Sequence, residues 1–103
     1  NSTNTTSSSK TKTKSDIKIE VLNGSGSSKT LQNVIDDLKQ KGYNVSKTGT
    51  TNTTSKTTII NKKDVSSTIM QDIEQVLGIG TVQDSEANSS KVDVTIIIGK
   101  DYK

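Results

Sequence analysis

Residues 17–45 read IKIEVLNGSGSSKTLQNVIDDLKQKGYNV, and this stretch decides the fold class. Ile17, Ile19 and Val21 alternate with Lys18 and Glu20, the two-residue period of a strand with one buried face. Asn23-Gly24-Ser25-Gly26 then breaks the pattern. Leu31, Val34, Ile35 and Leu38 recur at i, i+3, i+4 and i+7, one face of a helix predicted over Ser28–Lys41. Ser27 or Ser28 suits its N-cap, and Asp36 and Asp37 fall on the opposite face. Lys39 and Lys41 complement the negative end of the helix dipole. Gly42 supplies the left-handed residue that ends it. Tyr43-Asn44-Val45 opens a second strand with Tyr43 and Val45 inward, so the stretch is a βαβ unit.

Outward from this unit the pattern repeats. Residues 48–56, TGTTNTTSK, read as a polar loop. A third strand is expected over Thr57–Asn61, rich in β-branched side chains. Asp64 is a natural N-cap for a second helix running to Leu77, with Val65, Ile69, Ile73, Val76 and Leu77 on its stripe and Gly78 at its end. Ile79–Val82 suggests a short extended segment, and residues 83–91 a second polar loop. Val92, Val94, Ile96 and Ile98 alternate with Asp93, Thr95 and Ile97 in the last strand. The expected architecture is α+β: a βαββαβ two-layer sandwich, one mixed sheet with two helices packed on one face. Lys18, Glu20, Asp93 and Thr95 would lie on the uncovered face, polar as exposure demands.

The chain has 103 residues, enough for one ordinary domain. Only 26% are hydrophobic and 2% aromatic, but the deficit is uneven. Residues 1–16, NSTNTTSSSKTKTKSD, contain no apolar side chain and read as a disordered Ser/Thr/Lys-rich linker before a folded domain at 17–103. The formal charge is +3. The linker sets three Lys against one Asp, and the remainder eleven Lys against ten acids, so the domain itself is close to neutral. With no Arg, Trp or Phe, the composition argues against nucleic-acid binding. The absence of Cys excludes disulfides and thiolate metal sites, and the absence of His removes the commonest general base and metal ligand. No cofactor and no metal site are expected. No apolar run is long enough to span a membrane. The chain opens on Asn1 without a signal segment, so any export signal is expected upstream.

Asn23-Gly24-Ser25-Gly26-Ser27-Ser28-Lys29-Thr30 invites comparison with phosphate-binding loops. The context of strand, turn and helix is right, but the spacing fails. The phosphate loop requires Gly six residues and one residue before its Lys, where this chain has Asn23 and Ser28. A weaker role survives, since free backbone N–H groups at a helix start attract anions and Lys29 lies near. The alternative is that the glycines only permit a tight turn. Asp36-Asp37, Asp72/Glu74 and Asp84/Glu86 pair carboxylates on solvated helix faces or in a Ser-rich loop, without the apolar pocket that acid/base work needs. Tyr102 is either a stacking platform for a sugar or a packing residue over the sheet end. Nothing in the sequence supplies an enzyme's reactive groups.

Two stretches stand out, Ile19-Glu-Val-Leu-Asn-Gly-Ser-Gly26 after a polar tether and Val92-Asp-Val-Thr-Ile-Ile-Ile-Gly-Lys-Asp-Tyr102, their specific pieces being VLNGSG at 21–26 and DVT-aliphatic-GKDY at 93–102. With Leu38-Lys-Gln-Lys-Gly-Tyr-Asn-Val45 and Leu77-Gly78 between them, residues 17–102 resemble the C-terminal domain of LytR-CpsA-Psr cell-envelope proteins. The resemblance implies a membrane anchor upstream, an extracytoplasmic catalytic domain that transfers glycopolymers to peptidoglycan, and this domain appended to it. No catalytic residue carries over, because that site's arginines have no counterpart here. The implied role is a non-catalytic, extracytoplasmic accessory domain that binds wall polymer or positions a neighbouring transferase domain of the same protein. The alternative is a protein–protein interaction module using the open sheet face or an edge strand. The expected partners are peptidoglycan or an anionic wall glycopolymer. Asn23, Gly24, Ser25, Gly26, Ser28, Lys29, Lys100 and Tyr102 are the expected contact residues.

Overall fold

The computed structural model describes residues 16–87 and 89–102; the predicted linker, apart from Asp16, lies outside them. Five strands and two helices follow in the order β1 (Lys18–Asn23), α1 (Ser28–Gln40), β2 (Asn44–Thr50), β3 (Thr58–Asn61), α2 (Ser67–Leu77), β4 (Thr81–Asp84) and β5 (Val94–Ile98). They form one mixed sheet in the order β2-β1-β5-β3-β4. β1 pairs in parallel with both β2 and β5, β3 pairs in parallel with β4, and β3 and β5 are antiparallel. The sheet is therefore palindromic: two βαβ units run in opposite directions, and β5 fills the gap between them.

The alternation read in the sequence sets the faces. Ile19 is level with Val94 and Val21 with Ile96, while Ile59 faces Ile96 across the antiparallel ladder. These side chains, with Ile98, are fully buried against Val34 and Leu38 of α1 and Ile73 of α2. Each full burial stabilises by roughly 1.5–3 kcal/mol before chain entropy is counted. The helix stripes and the sheet share this single core.

Four boundaries differ from the sequence reading. The segment near Ile79–Val82 is a full edge strand, shifted to Thr81–Asp84, so the sheet has five strands and the second helix returns to β4 rather than to the last strand. β2 extends to Thr50 through part of the expected polar loop, with a bulge that leaves Ser46 as an extra residue opposite Ile19/Glu20. The last strand begins at Val94 instead of Val92. α2 starts two residues later than an Asp64 cap would place it. Asp64 instead adopts a left-handed backbone, with φ 55°. Ser66 caps the helix, its hydroxyl accepting from the backbone N–H of Ile69.

A pair of asparagines explains both strand-to-helix connections. Asn61 ends β3, donates from Nδ2 to the Val65 carbonyl and accepts at Oδ1 from the Val65 N–H, each at 2.8 Å. Asn23 ends β1 and donates to the Ser27 carbonyl at 2.9 Å, while its Oδ1 accepts from the N–H and the hydroxyl of Ser25. Both side chains are 6% exposed. Each fastens the backbone four residues on and so fixes where its helix begins.

The uncovered face is less polar than alternation predicts. Leu22, Ile97 and Ile60 lie on it, half-buried, beside Glu20, Thr95 and Thr58. Thr95, on the central strand, and Asp93, just before it, are buried by their neighbours. The Thr95 hydroxyl bonds the Glu20 carboxylate, and Asp93 accepts from the Lys18 N–H.

Candidate functional site

The loop after β1, the β2–β3 connection and the segment after β5 converge at one end of the sheet. Gly24 N–H donates to the Ile98 carbonyl at 2.8 Å, and Thr54 N–H donates to the Gly24 carbonyl at 2.9 Å. Lys100 N–H donates to the Thr54 carbonyl, and Asp101 N–H to that of Ser55. The two expected contact groups, Asn23–Lys29 and Lys100–Tyr102, are thus brought together by a third segment, residues 51–57, that the sequence reading assigned no role.

Within this cluster the expected contact residues divide. Asn23, Gly24 and Tyr102 are buried and Ser25 is half-buried, whereas Gly26, Ser28, Lys29 and Lys100 are exposed. Gly24 is a close-approach residue: a Cβ there would lie 2.9 Å from the Ile98 carbonyl oxygen and 3.0 Å from that of Asn52. Gly99 is tighter still, because its Cβ would meet the carbonyl carbon of Lys56 at 2.3 Å. The hydroxyl of Thr57 accepts from Gly99 N–H at 3.0 Å and donates to Asp101 Oδ1 at 2.7 Å, and the same carboxylate oxygen accepts from Thr57 N–H. Tyr102 is 8% exposed and donates its hydroxyl to Asp37 of α1, so its ring packs and offers no open stacking face. Burial, then the bond to Asp37 and its charge, pushes the phenol up to about 12. The polar residues in both distinctive strings mainly close this end of the fold.

What faces solvent is a rim of hydroxyls and three lysines. Lys29, on the first turn of α1, Lys56 and Lys100 are all exposed. Sequence reasoning missed Lys56, whose only signal was a cation in a Ser/Thr-rich loop. Two acids are engaged by hydroxyls of this end, Asp101 by Thr57 and Asp37 by Tyr102. Ser27 holds the N-cap position of α1 without a side-chain bond to the helix, so first-turn N–H groups point outward at this end.

Among the described residues no group of three or more acidic side chains is placed to hold a metal ion. Among the described residues Tyr43 and Tyr102 are both pushed well up and held in the neutral form. An open groove beside α2, lined by Asn61, Asp64, Ser66, Met70, Glu74 and Asp84, lies at the opposite end of the sheet. No helix among the described residues is long and apolar enough to cross a membrane.

A solved structure, the solution structure of the C-terminal domain of RV0431, shares this fold. It is 20% identical and superposes with a TM-score of 0.53, covering 96% of this chain and 84% of that one. No curated protein matches the chain. The family described as LytR cell envelope-related transcriptional attenuator matches residues 16–102, a span that runs from the entry of β1 to the Tyr102 latch. An α+β sheet closed by these two strings, matched over its whole described length, places the chain in the LytR C-terminal domain family of cell-envelope proteins.

Proposed function

We propose that this is a non-catalytic accessory domain, acting outside the cytoplasm, whose basic end makes weak, repeated contact with an anionic wall glycopolymer or peptidoglycan and so positions the neighbouring domains of the same protein. The supporting observation is that the three chain segments bearing exposed Lys29, Lys56 and Lys100 converge at one hydroxyl-rich end of the sheet, where Asp101 is engaged by Thr57. An exposed ion pair contributes about 0.2–1 kcal/mol, so three lysines give a weak site. A polymer that repeats its charge supplies many such encounters at high effective concentration, which suits positioning better than capture. Buried Asn23, Gly24 and Tyr102 support the rim from below, and Gly26, Ser28, Lys29, Lys56 and Lys100 form the contact.

The test is a titration of the ¹⁵N-labelled domain with teichoic-acid fragments and, separately, with an uncharged polysaccharide. Shifts should gather at Gly26, Ser28, Lys29, Lys56 and Lys100 with the anionic polymer, fade with salt, and disappear when the three lysines are changed together to Gln. No shift at millimolar polymer, or equal shifts with the uncharged one, would sink this reading.

A second reading is favoured by the open sheet face. Half-buried Leu22, Ile60 and Ile97 make an apolar patch there that suits a protein neighbour within an envelope complex. Crosslinking through that face, with Leu22→Lys abolishing the product, distinguishes it from polymer contact.

A further inference from the structure

We propose that Asn23–Gly24 is a site of spontaneous hydrolytic modification, held silent by the native fold and irreversible once the loop has opened. Asparagine followed by glycine is the pair most open to this chemistry, because glycine has no Cβ to obstruct attack by its own backbone nitrogen. The nitrogen of Gly24, having given its proton to solvent base, bonds to Cγ of Asn23, and Nδ2 leaves as ammonia. The five-membered imide then takes up one water at either carbonyl. The result is aspartate in the normal chain or isoaspartate with the chain rerouted through Cβ and Cγ. One ammonia is lost and one water gained, with no other reactant.

Every atom the reaction needs is occupied in the fold. The Gly24 N–H is committed to the Ile98 carbonyl at 2.8 Å, which aims the nitrogen at β5 and away from its own neighbour. Nδ2 of Asn23 donates to Ser27, and Oδ1 accepts twice from Ser25. At 6% exposure the amide is also shielded from water. Ring closure therefore waits for the end of β1 to separate from β5, a local opening. The product does not fit the site it came from. A carboxylate oxygen replaces the donor that faced the Ser27 carbonyl, setting two acceptors against each other. The isoaspartate form also adds a backbone atom where Asn23 is level with Thr50 and Ile98.

Asn61 is an internal reference. It makes the same bonds to the backbone four residues on, but Lys62 follows it, and the Cβ of Lys62 hinders closure.

The experiment is peptide mass mapping of the purified protein, incubated at one mildly alkaline pH and temperature with and without denaturant. In denaturant, Asn23 should gain about one mass unit well before Asn61. In native buffer its conversion should be at least about tenfold slower. Equal rates with and without denaturant would overturn the protection. No preference for Asn23 over Asn61 in denaturant would overturn the assignment of the labile site. On return to native buffer, converted molecules should melt below unconverted ones from the same tube. Identical melting would overturn the claim that the product no longer fits its site.

Discussion

The hydroxyl of Tyr43 lies 2.5 Å from Oδ2 of Asp72, a bond from the entry of β2 to the middle of α2. Tyr102 makes the complementary bond to Asp37 of α1 at 3.0 Å. The chain's two tyrosines thus each hold an aspartate on a helix, one per βαβ unit.

These bonds make stability fall in alkali. Burial first, then the bond to and charge of Asp72, raises Tyr43 well above the ordinary phenol range, and Tyr102 is pushed up to about 12 in the same way by burial and Asp37. In the unfolded chain both titrate near 10. Below about pH 10 both states keep the protons and the contribution is whole; as pH climbs from about 10 toward 12 the unfolded chain ionises first and stability is lost. Urea midpoints measured at about pH 8 and about pH 11 should differ more for the native sequence than for a Tyr43→Phe/Tyr102→Phe double variant, which lacks both phenols.

Glycine replacements should rank by what a Cβ meets. Gly99→Ala drives a methyl into the Lys56 backbone and should cost about 3 kcal/mol or more. Gly24→Ala, with contacts from 2.9 Å, should cost about 1–3 kcal/mol. Gly78 caps α2 at φ 77° with open space around it, so Gly78→Ala should cost only about 1 kcal/mol, from backbone strain alone. Denaturant unfolding of the three variants gives the order.

Thr57 is 1% exposed, and its hydroxyl joins Gly99 to Asp101. Thr57→Val keeps the shape but leaves the Gly99 N–H without this acceptor and Asp101 with only the bond from the Thr57 N–H, for an expected loss of about 1–3 kcal/mol. Thr57→Ser keeps the hydroxyl and should lose about 1 kcal/mol for the missing methyl. Equal losses in the two variants would show that packing, and not the hydroxyl, holds the C-terminal segment.

Asn61→Ala removes both bonds to Val65 and leaves that buried N–H and carbonyl without their side-chain partner. An expected loss of about 1–3 kcal/mol should be accompanied by faster amide exchange in the first turn of α2, where Ser66 alone then marks the start. Exchange confined to β3 would argue that Asn61 serves the strand and not the helix.

Periodicity exposed what periodicity controls. The stripes Leu31–Leu38 and Ile69–Leu77 and the alternation of Ile17–Val21 and Val94–Ile98 carry their own pattern in the sequence, and each marks an element of the fold. β4 and the second half of β2 carry none. Val82 is β4's single apolar residue, and Ser46–Thr50 has no apolar residue; these segments are strands because β3 and β1 offer them unpaired backbone. The start of α2 was illegible for a related reason. Asp64 has the chemistry of a cap, but Asn61 captures Val65 and delays the helix. At the candidate site, Asn23, Asp101 and Tyr102 look like exposed loop polarity in one dimension. Their partners lie 2 to 65 residues away, and only the closed fold shows them turned inward.

The palindromic sheet has a consequence for the order of assembly. Each βαβ unit is a local affair, but within the sheet β1 and β3 never meet; their ladders are both completed by residues 94–98. On a growing polypeptide emerging from its N-terminal side, the two halves therefore wait, edges open, for the last segment to be threaded between them. Whatever guards those edges in the interval sets how safely the domain is made.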